Sequence, residues 1–496
     1  MKNRLLSKVM AGTLAGALLF TGCASTTTTS ESAGTTEAAA SSDTNTAEAS
    51  TVALSRDDIT INETKECSED STHAIEVSGE ESSYSNIEVI KTGDSDQGDE
   101  ADFYGDNAAI FATDGATLDL SNIVVDTNGE HANAVFSYGE GTTVNISDSY
   151  ITTAGNCSGG LMTTGGGTMN ATNVTVETSG NSSASIRSDR GGGTVTVNGG
   201  SYTTSGVGSP TIYSTADITV NDATLTSTAS QGVVVEGNNS ATLNNVTLNA
   251  DNTTKNGDNS SYYQAVMIYQ SMSGDAEEGD AYCTMTDGSL TNNTGDIFFV
   301  TNTVADINLE NVAITNNDAD GIFLRAAAAG WGSEGSNGGQ VNVNASNQTI
   351  DGDMVIDDVS VMNLYLNDGS TYTGAINSDG AAGDVYVEIS DDSTWTLTGD
   401  SYITALTCDT DSINLNGYTL YVDGEAYTEG TASTGEAYEL SISSGGSEGG
   451  MPEGGAPSGE APSGEAPSGE KPSGEKPSGE KPSGEKPSGE KPGSSN

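Results

Sequence analysis

Between about residue 75 and residue 430 the chain repeats one order of elements: a short apolar strand, a Gly or Asp turn, an alternating strand, another turn and a Thr-rich strand. One unit reads Ala108-Ala-Ile-Phe-Ala, then Ala116-Thr-Leu-Asp-Leu, then Ile123-Val-Val-Asp-Thr. The next reads Ala134-Val-Phe-Ser, Thr143-Val-Asn-Ile and Tyr150-Ile-Thr-Thr, and further units begin near Leu161, Ser185, Thr211, Val233, Val266, Phe298, Phe323 and Val355. The residues just after the first strands are Ala112, Ser137, Thr163, Arg187, Tyr213, Glu236, Tyr269, Thr301, Arg325 and Asp357. They are spaced by 25, 26, 24, 26, 23, 33, 32, 24 and 32 residues. A period of this length with three strands per unit predicts a solenoid.

No single unit can bury its apolar face, but stacked units share a continuous core, each strand bonding its equivalent in the next coil at about 4.8 Å. The expected fold is all-β: a right-handed parallel β-helix of ten or more three-strand coils, on the order of 50 Å long. Val, Ile, Leu, Phe and Ala take the inward positions, and Thr, Asn, Ser and Asp the outward ones. An aromatic content of 5% suits a narrow interior. Unpaired strand edges at both ends call for caps, expected over 59–77 and after Ile413. Cys67, Cys157, Cys283 and Cys408 are 90, 126 and 125 residues apart. In a stack of coils such intervals place them well over 10 Å apart along the axis, beyond disulfide reach. Isolated thiols are therefore expected, and neither this spacing nor His73 and His131 suggests a zinc site.

The ends have a different composition. Lys2, Arg4 and Lys8 lead into an apolar run from Val9 to Phe20 that ends in Thr21-Gly22-Cys23. This is the pattern of a secretory signal over 1–22, too short for a comfortable membrane span. The Gly-Cys junction resembles a bacterial lipobox, with Phe20 where Leu is usual, and would make Cys23 the lipidated first residue of the mature chain. Plain cleavage nearby would leave Cys23 incidental. Residues 23–55 are rich in Ser, Thr, Ala and Glu and read as a disordered spacer. The solenoid with its caps occupies 56–445. Over 446–496 come three copies of Ala-Pro-Ser-Gly-Glu and four of Lys-Pro-Ser-Gly-Glu, which predict an extended, solvated, disordered tail.

Charge narrows the partners. The 496 residues carry 71 acidic and 15 basic side chains, for a formal charge of −56, or −59 once Lys2, Arg4 and Lys8 leave with the signal. Nucleic acid is excluded as a partner, because binding it needs basic residues to displace counterions. Calcium and extracellular polysaccharide, or a ligand on a host or neighbouring cell, fit better. Membrane contact is expected through the lipid anchor alone.

The Gly- and Asn-rich coils, the lipobox-like start and the Pro-Ser-Gly-Glu tail resemble adhesin-like, right-handed β-helix surface lipoproteins of clostridial bacteria. The likeness includes the stretch Ser185-Ile-Arg-Ser-Asp-Arg-Gly-Gly-Gly-Thr-Val-Thr-Val and the following Ser209-Pro-Thr-Ile-Tyr-Ser-Thr-Ala-Asp-Ile. It implies an exported, lipid-anchored, non-catalytic adhesin or carbohydrate-binding protein at the outer face of the cell membrane. A related clostridial group binds acidic sugars with calcium, but no binding motif of that group carries over residue by residue. Polygalacturonase-type glycosidases share the fold, yet their Gly-His-Gly and Arg-Ile-Lys are absent from this sequence. The Asp57-Asp58, Asp357-Asp358 and Asp391-Asp392 pairs then read as turn residues. The alternative is a calcium-dependent pectate or polyuronate lyase, or a uronate-binding enzyme. Such a site needs a base beside a carboxylate neutralised by calcium.

For ligand binding the spacing puts Arg187, Tyr213 and Glu236 on one outer face with Tyr269 and Arg325 further along, a ladder of Tyr for stacking and Arg for carboxylates or hydroxyls. Arg190 and Asp189 complete the densest basic cluster of the folded region, and an inter-coil Arg187–Asp189 pair is its plain structural role. Insertions are expected over 251–263, 270–282 and 326–340, and raised loops on a rigid scaffold favour binding. Trp331 offers a ring for a sugar or a cover for apolar coil surface. Asp275, Glu277, Glu278 and Asp280 are the candidate calcium ligands. The run Asp94, Asp96, Asp99, Glu100, Asp102 and Asp106 is a second candidate, and neither has EF-hand spacing.

Overall fold

The computed structural model describes residues 53–255, 259–260 and 262–441. The signal, Cys23, the spacer up to residue 52 and the repeat tail lie outside the described residues. Within them the chain is a parallel β-helix. An 11-stranded parallel sheet runs from Ile75–Ser78 to Met354–Ile356 and forms the first face. The other two faces join into a 21-stranded sheet, because Thr143–Thr153 and Gly167–Thr178 each run through the corner between them without a break.

The inward column of the first face shows why the coils stack in this register. Ile75, Ile110, Val135, Leu161, Ile186, Ile212, Val233, Val266, Phe298, Leu324 and Met354 are successive partners, and all are buried. A one-residue slip would turn this whole set outward, so burial fixes the pairing. On the second face Leu118, Val144, Met169, Val195, Ile218, Ala241, Cys283 and Ile307 form the equivalent column. Cys283 is thus a core filler, its thiol pushed up to about 12 by burial.

Corners are built from residues that tolerate a left-handed backbone. Asn122, Asp148, Asn173, Asp222, Asn245, Asp287, Asn311, Asn347 and Asp368 occupy the corner between the second and third faces, with φ between 47° and 58°. Where Asn follows Asp in the next coil, the amide donates to the carboxylate: Asn173 Nδ2 to Asp148 Oδ1 at 2.7 Å and Asn245 Nδ2 to Asp222 Oδ1 at 2.7 Å. Short polar side chains suit this conformation because they bond locally.

The C-terminal end closes with antiparallel pairing, Leu420–Val422 against Glu425–Ala426 and a bridge from Cys408 to Ser433. These contacts occupy edge groups that would otherwise template another chain. The interior accepts Trp395 stacked on Tyr372 at 5.5 Å near this end.

The register corrects one expectation. Arg187 pairs with Met162 and not Thr163, Tyr213 with Val234 and not Glu236, and Arg325 with Phe299 and not Thr301. The outward column of the first face is therefore Phe111, Phe136, Met162, Arg187, Tyr213, Val234, Met267, Phe299 and Arg325. Glu236 pairs with Tyr269 in a separate column.

Candidate functional site

An outer strand face of Phe, Met and Val must be covered, and two separate covers do so. The first is an insertion over 92–107 that carries the short helix Asp99–Tyr104. Gly105 ends it in the left-handed conformation at φ 74°, where a Cβ would sit 2.7 Å from the Phe111 ring. The close approach lays the helix on the apolar cluster of Phe111, Phe136 and Met162. Thr164 Oγ1 pins it by donating to the Phe103 carbonyl at 2.7 Å.

The second cover comes from the three expected insertions. Tyr262 packs on Phe299 with ring centres 5.3 Å apart, and Trp331 meets Tyr269 edge-on at 5.1 Å. The Gly330 amide donates to the Asn259 carbonyl at 2.7 Å, tying the first insertion to the third. Trp331 is buried, so its indole covers coil surface and presents no open face to a sugar. Arg325 belongs to this cover too: its Nε donates to Asp296 Oδ2 at 2.7 Å and its guanidinium lies 4.2 Å from the Tyr262 ring centre.

Between the covers the first face is open as a cleft of about 320 Å³, lined by Asp99, Asp102, Phe103, Cys157, Arg187, Asp189, Tyr213, Gln231, Tyr269 and Asp275 among others. Arg187 forms its floor. One guanidinium nitrogen, Nη2, reaches Asp102 Oδ2 at 3.2 Å and Asp189 Oδ2 at 2.8 Å. Two buried carboxylates thus share one cation. Burial alone would raise Asp102, but Arg187 and then His131 outweigh it and hold the carboxyl below its ordinary value. Asp189 is pushed up to about 6, first by burial, with Arg187 opposing and Asp102 adding to the rise.

Arg190 spans the cleft. Its Nη2 and Nε donate to Asp275 Oδ1 at 2.6 and 3.2 Å, while its guanidinium sits 3.9 Å from the Phe103 ring centre. It therefore links the helix of one cover to the loop of the other. Below the rim, Glu236 Oε2 accepts from Tyr213 Oη and, at 2.9 Å, from Tyr269 Oη. Burial drives both phenols well above their ordinary value, so neither serves as an acid or base near neutrality.

The structure thus gathers Arg187, Asp189, Arg190, Tyr213, Tyr269 and Asp275 at one cleft, with Glu236 beneath. It leaves Arg325 and Trp331 in the neighbouring cover. The candidate calcium ligands do not converge: Asp275 is bonded to Arg190, Glu277 and Glu278 are exposed on the loop, and Asp280 is exposed at the start of the strand Asp280–Thr286. Among the described residues, the only three His, Cys, Asp or Glu side chains whose ligand atoms lie within 4.8 Å of one another are Asp102, His131 and Cys157. The four described cysteines are free, as expected of buried or isolated thiols, and Cys157 in addition lies beside His131 and Asp102, a grouping the cysteine intervals do not suggest. The interval from His131 to Cys157 is 26 residues, one coil, and that spacing was the available signal.

Cys157 is not an activated nucleophile in this arrangement, since burial pushes its thiol up to about 11. His131 is raised from its ordinary value, mainly by the Asp102 carboxylate. No helix among the described residues is long and apolar enough to cross a membrane. No protein family, curated protein or solved structure matches the chain in these comparisons.

Proposed function

We propose that the protein is a non-catalytic, surface-displayed β-helix that binds glycan in the Arg187–Tyr213 cleft. The observation that carries this reading is the gap between the two covers, where polar side chains replace the apolar column on an otherwise sealed face. Its volume lies at the lower end of small-ligand sites, room for about one or two sugar rings. The cleft offers carboxylates and guanidinium groups, which bond sugar hydroxyls, and the Tyr213 ring as a surface for stacking. The scaffold under them is rigid, which favours a preformed site.

Charge points to the ligand class. Asp99, Asp102, Asp189 and Asp275 outnumber Arg187 and Arg190 at the cleft, within a chain of net charge −56. A neutral or amino-bearing sugar fits that field better than a polyuronate. The resemblance to clostridial surface lipoproteins supports the same adhesive role. Export and lipid attachment at Cys23 would present the rod on the outer face of the cell membrane, facing polysaccharide or another cell. The proposal does not need calcium.

The lyase alternative needs a free basic side chain. Arg187 is bonded to two carboxylates, and its guanidinium holds its proton more tightly than an ordinary arginine through Asp102 and Asp189, which outweigh burial. That makes it a poor proton acceptor. The test is a glycan array probed with the purified chain, alongside incubation with polygalacturonate with and without calcium. Binding to neutral or amino sugars that falls at least about tenfold on Tyr213→Ala is the expected result. Release of ultraviolet-absorbing unsaturated product, or no glycan bound anywhere on the array, would overturn it.

A further inference from the structure

We propose that Asp102, His131 and Cys157 hold a divalent cation of the zinc class, with a fourth position open to the cleft. This site shares Asp102 and the cleft with the glycan reading, but His131 and Cys157 have no part in the charge argument made there, and ion binding does not require a glycan. His131 and Cys157 stand at the same corner of consecutive coils: the His131 amide donates to the Asn156 carbonyl at 2.9 Å and the Cys157 amide to the Asn181 carbonyl at 2.8 Å. Both are left-handed, at φ 55° and 54°, so the corner aims their side chains the same way. Asp102 arrives from the helix of the first cover and completes the group.

The spacing is that of metal ligands more than of a hydrogen bond. His131 Nδ1 lies 3.3 Å from Asp102 Oδ1, yet it is buried and makes no aligned hydrogen bond. Nitrogen and oxygen ligands about 2.0–2.1 Å from a tetrahedral centre are themselves about 3.3 Å apart. The sulfur is within 4.8 Å of both, where a tetrahedral set would bring it to about 3.6 Å, so Cys157 closes the set by moving in as the ion binds. Sulfur, imidazole and carboxylate together select a borderline ion over calcium or magnesium.

The surroundings fit a held cation. Arg187 occupies Asp102 Oδ2 and so leaves Oδ1 facing the histidine. Asn133 Nδ2 also donates to Oδ1 at 3.1 Å, while its own Oδ1 accepts from the Gly159 amide at 2.7 Å, so the carboxylate is held in place from behind. Such outer contacts orient metal ligands. With the thiolate formed, Asp102, Asp189 and Cys157 against Arg187 leave two net negative charges for a divalent ion to neutralise. The cleft, which Asp102 and Cys157 both line, is the entry path and supplies the fourth ligand as water.

The test uses the full chain without an affinity tag, stripped with chelator and titrated with Co²⁺ as the probe. One equivalent should give the near-ultraviolet sulfur-to-cobalt absorption and the intense visible bands of a four-coordinate ion, both lost when Zn²⁺ is added. Cys157→Ser should abolish the sulfur band while the chain stays folded, since Ser182 occupies the same corner one coil on at φ 54°. Cys67→Ser should leave the band intact. His131→Gln should weaken Zn²⁺ binding by more than about tenfold and remove the rise in melting temperature that Zn²⁺ gives the parent chain. No cobalt spectrum with the parent chain, or a sulfur band that survives Cys157→Ser, would overturn the proposal.

Discussion

Gly180→Ala should cost the fold about 3 kcal/mol or more, measured by denaturant unfolding against the parent chain. Gly129, Gly155, Gly180 and Gly206 repeat at one corner of successive coils, and each presses on the glycine of the coil before. A Cβ on Gly180 would lie 1.8 Å from the Gly155 carbonyl oxygen and 2.5 Å from its carbon. Both are backbone atoms, so no side chain can swing aside, and the coils themselves must part. Parting them breaks the hydroxyl ladder that fastens this corner: Ser183 Oγ donates to the Gly155 carbonyl at 3.1 Å and accepts from the Ser158 amide at 3.0 Å. In a solenoid each coil touches only its neighbours, so the damage should appear as early proteolytic cleavage near 178–185. Gly399→Ala, whose nearest new contact is the Ala375 Cβ at 3.3 Å, should change stability by less than about 1 kcal/mol. Equal stability of the Gly180 and Gly399 variants would mean that the coils do not approach as described.

Arg187→Met should also be severe, by about 3–5 kcal/mol at neutral pH, because it leaves Asp102 and Asp189 buried without their shared cation. The sign of its pH dependence follows from the carboxyls. Asp189 is raised to about 6 in the folded chain, so folding holds its proton more tightly than the unfolded chain does. Its contribution is most favourable below its unfolded value near 4 and is lost as pH rises to about 6. Asp102 is held low, so its contribution is present at neutral pH and is lost on acidification. Without Arg187 the largest force that lowers Asp102 is gone, His131 and Asn133 alone oppose burial, and both carboxyls shift toward the protonated folded state. The variant should therefore recover stability relative to the parent as pH falls from about 7 to 4. Adding Asp102→Asn and Asp189→Asn should restore much of the loss at neutral pH. If Arg187→Met were as stable as the parent and lost only ligand binding, the buried triad would have no structural role.

The sequence made the stack legible because its inward positions keep one chemistry. Ile110, Val135, Leu161, Ile186 and Ile212 recur at nearly the coil interval, and the insertions after Tyr269 and Ala326 announce themselves as longer intervals. The register on the first face was harder to read, for a physical reason. Alternation distinguishes inside from outside only when the outside is polar, and here Phe111, Phe136 and Met162 are buried under a helix. With both sides apolar, a strand such as Leu161–Thr164 is buried at every position and gives no phase. The helix Asp99–Tyr104 was obscured by its acids, which resemble ion ligands as readily as a helical first turn. The cleft itself depends on pairs such as Arg187 with Asp102 and Arg190 with Asp275, each 85 residues apart. Contacts of that range follow from how insertions fold back over the coils, which no local pattern encodes.

The most direct test of the stacked arrangement is a distance ladder along one outward column. Asn145, Asn170, Thr196, Thr219, Thr242, Thr284, Asn308 and Asn344 are successive parallel partners on the second face. Spin labels at 145 and 242, four coils apart, should lie about 19 Å from each other, and labels at 145 and 344, seven coils apart, about 34 Å, before allowance for the label arms. Pulsed electron resonance on the two doubly labelled chains reads both. Narrow distributions whose means differ by about 15 Å are predicted. Broad distributions, or a mean for the 344 pair no longer than that for the 242 pair, would contradict the stack and with it the cleft built on its side.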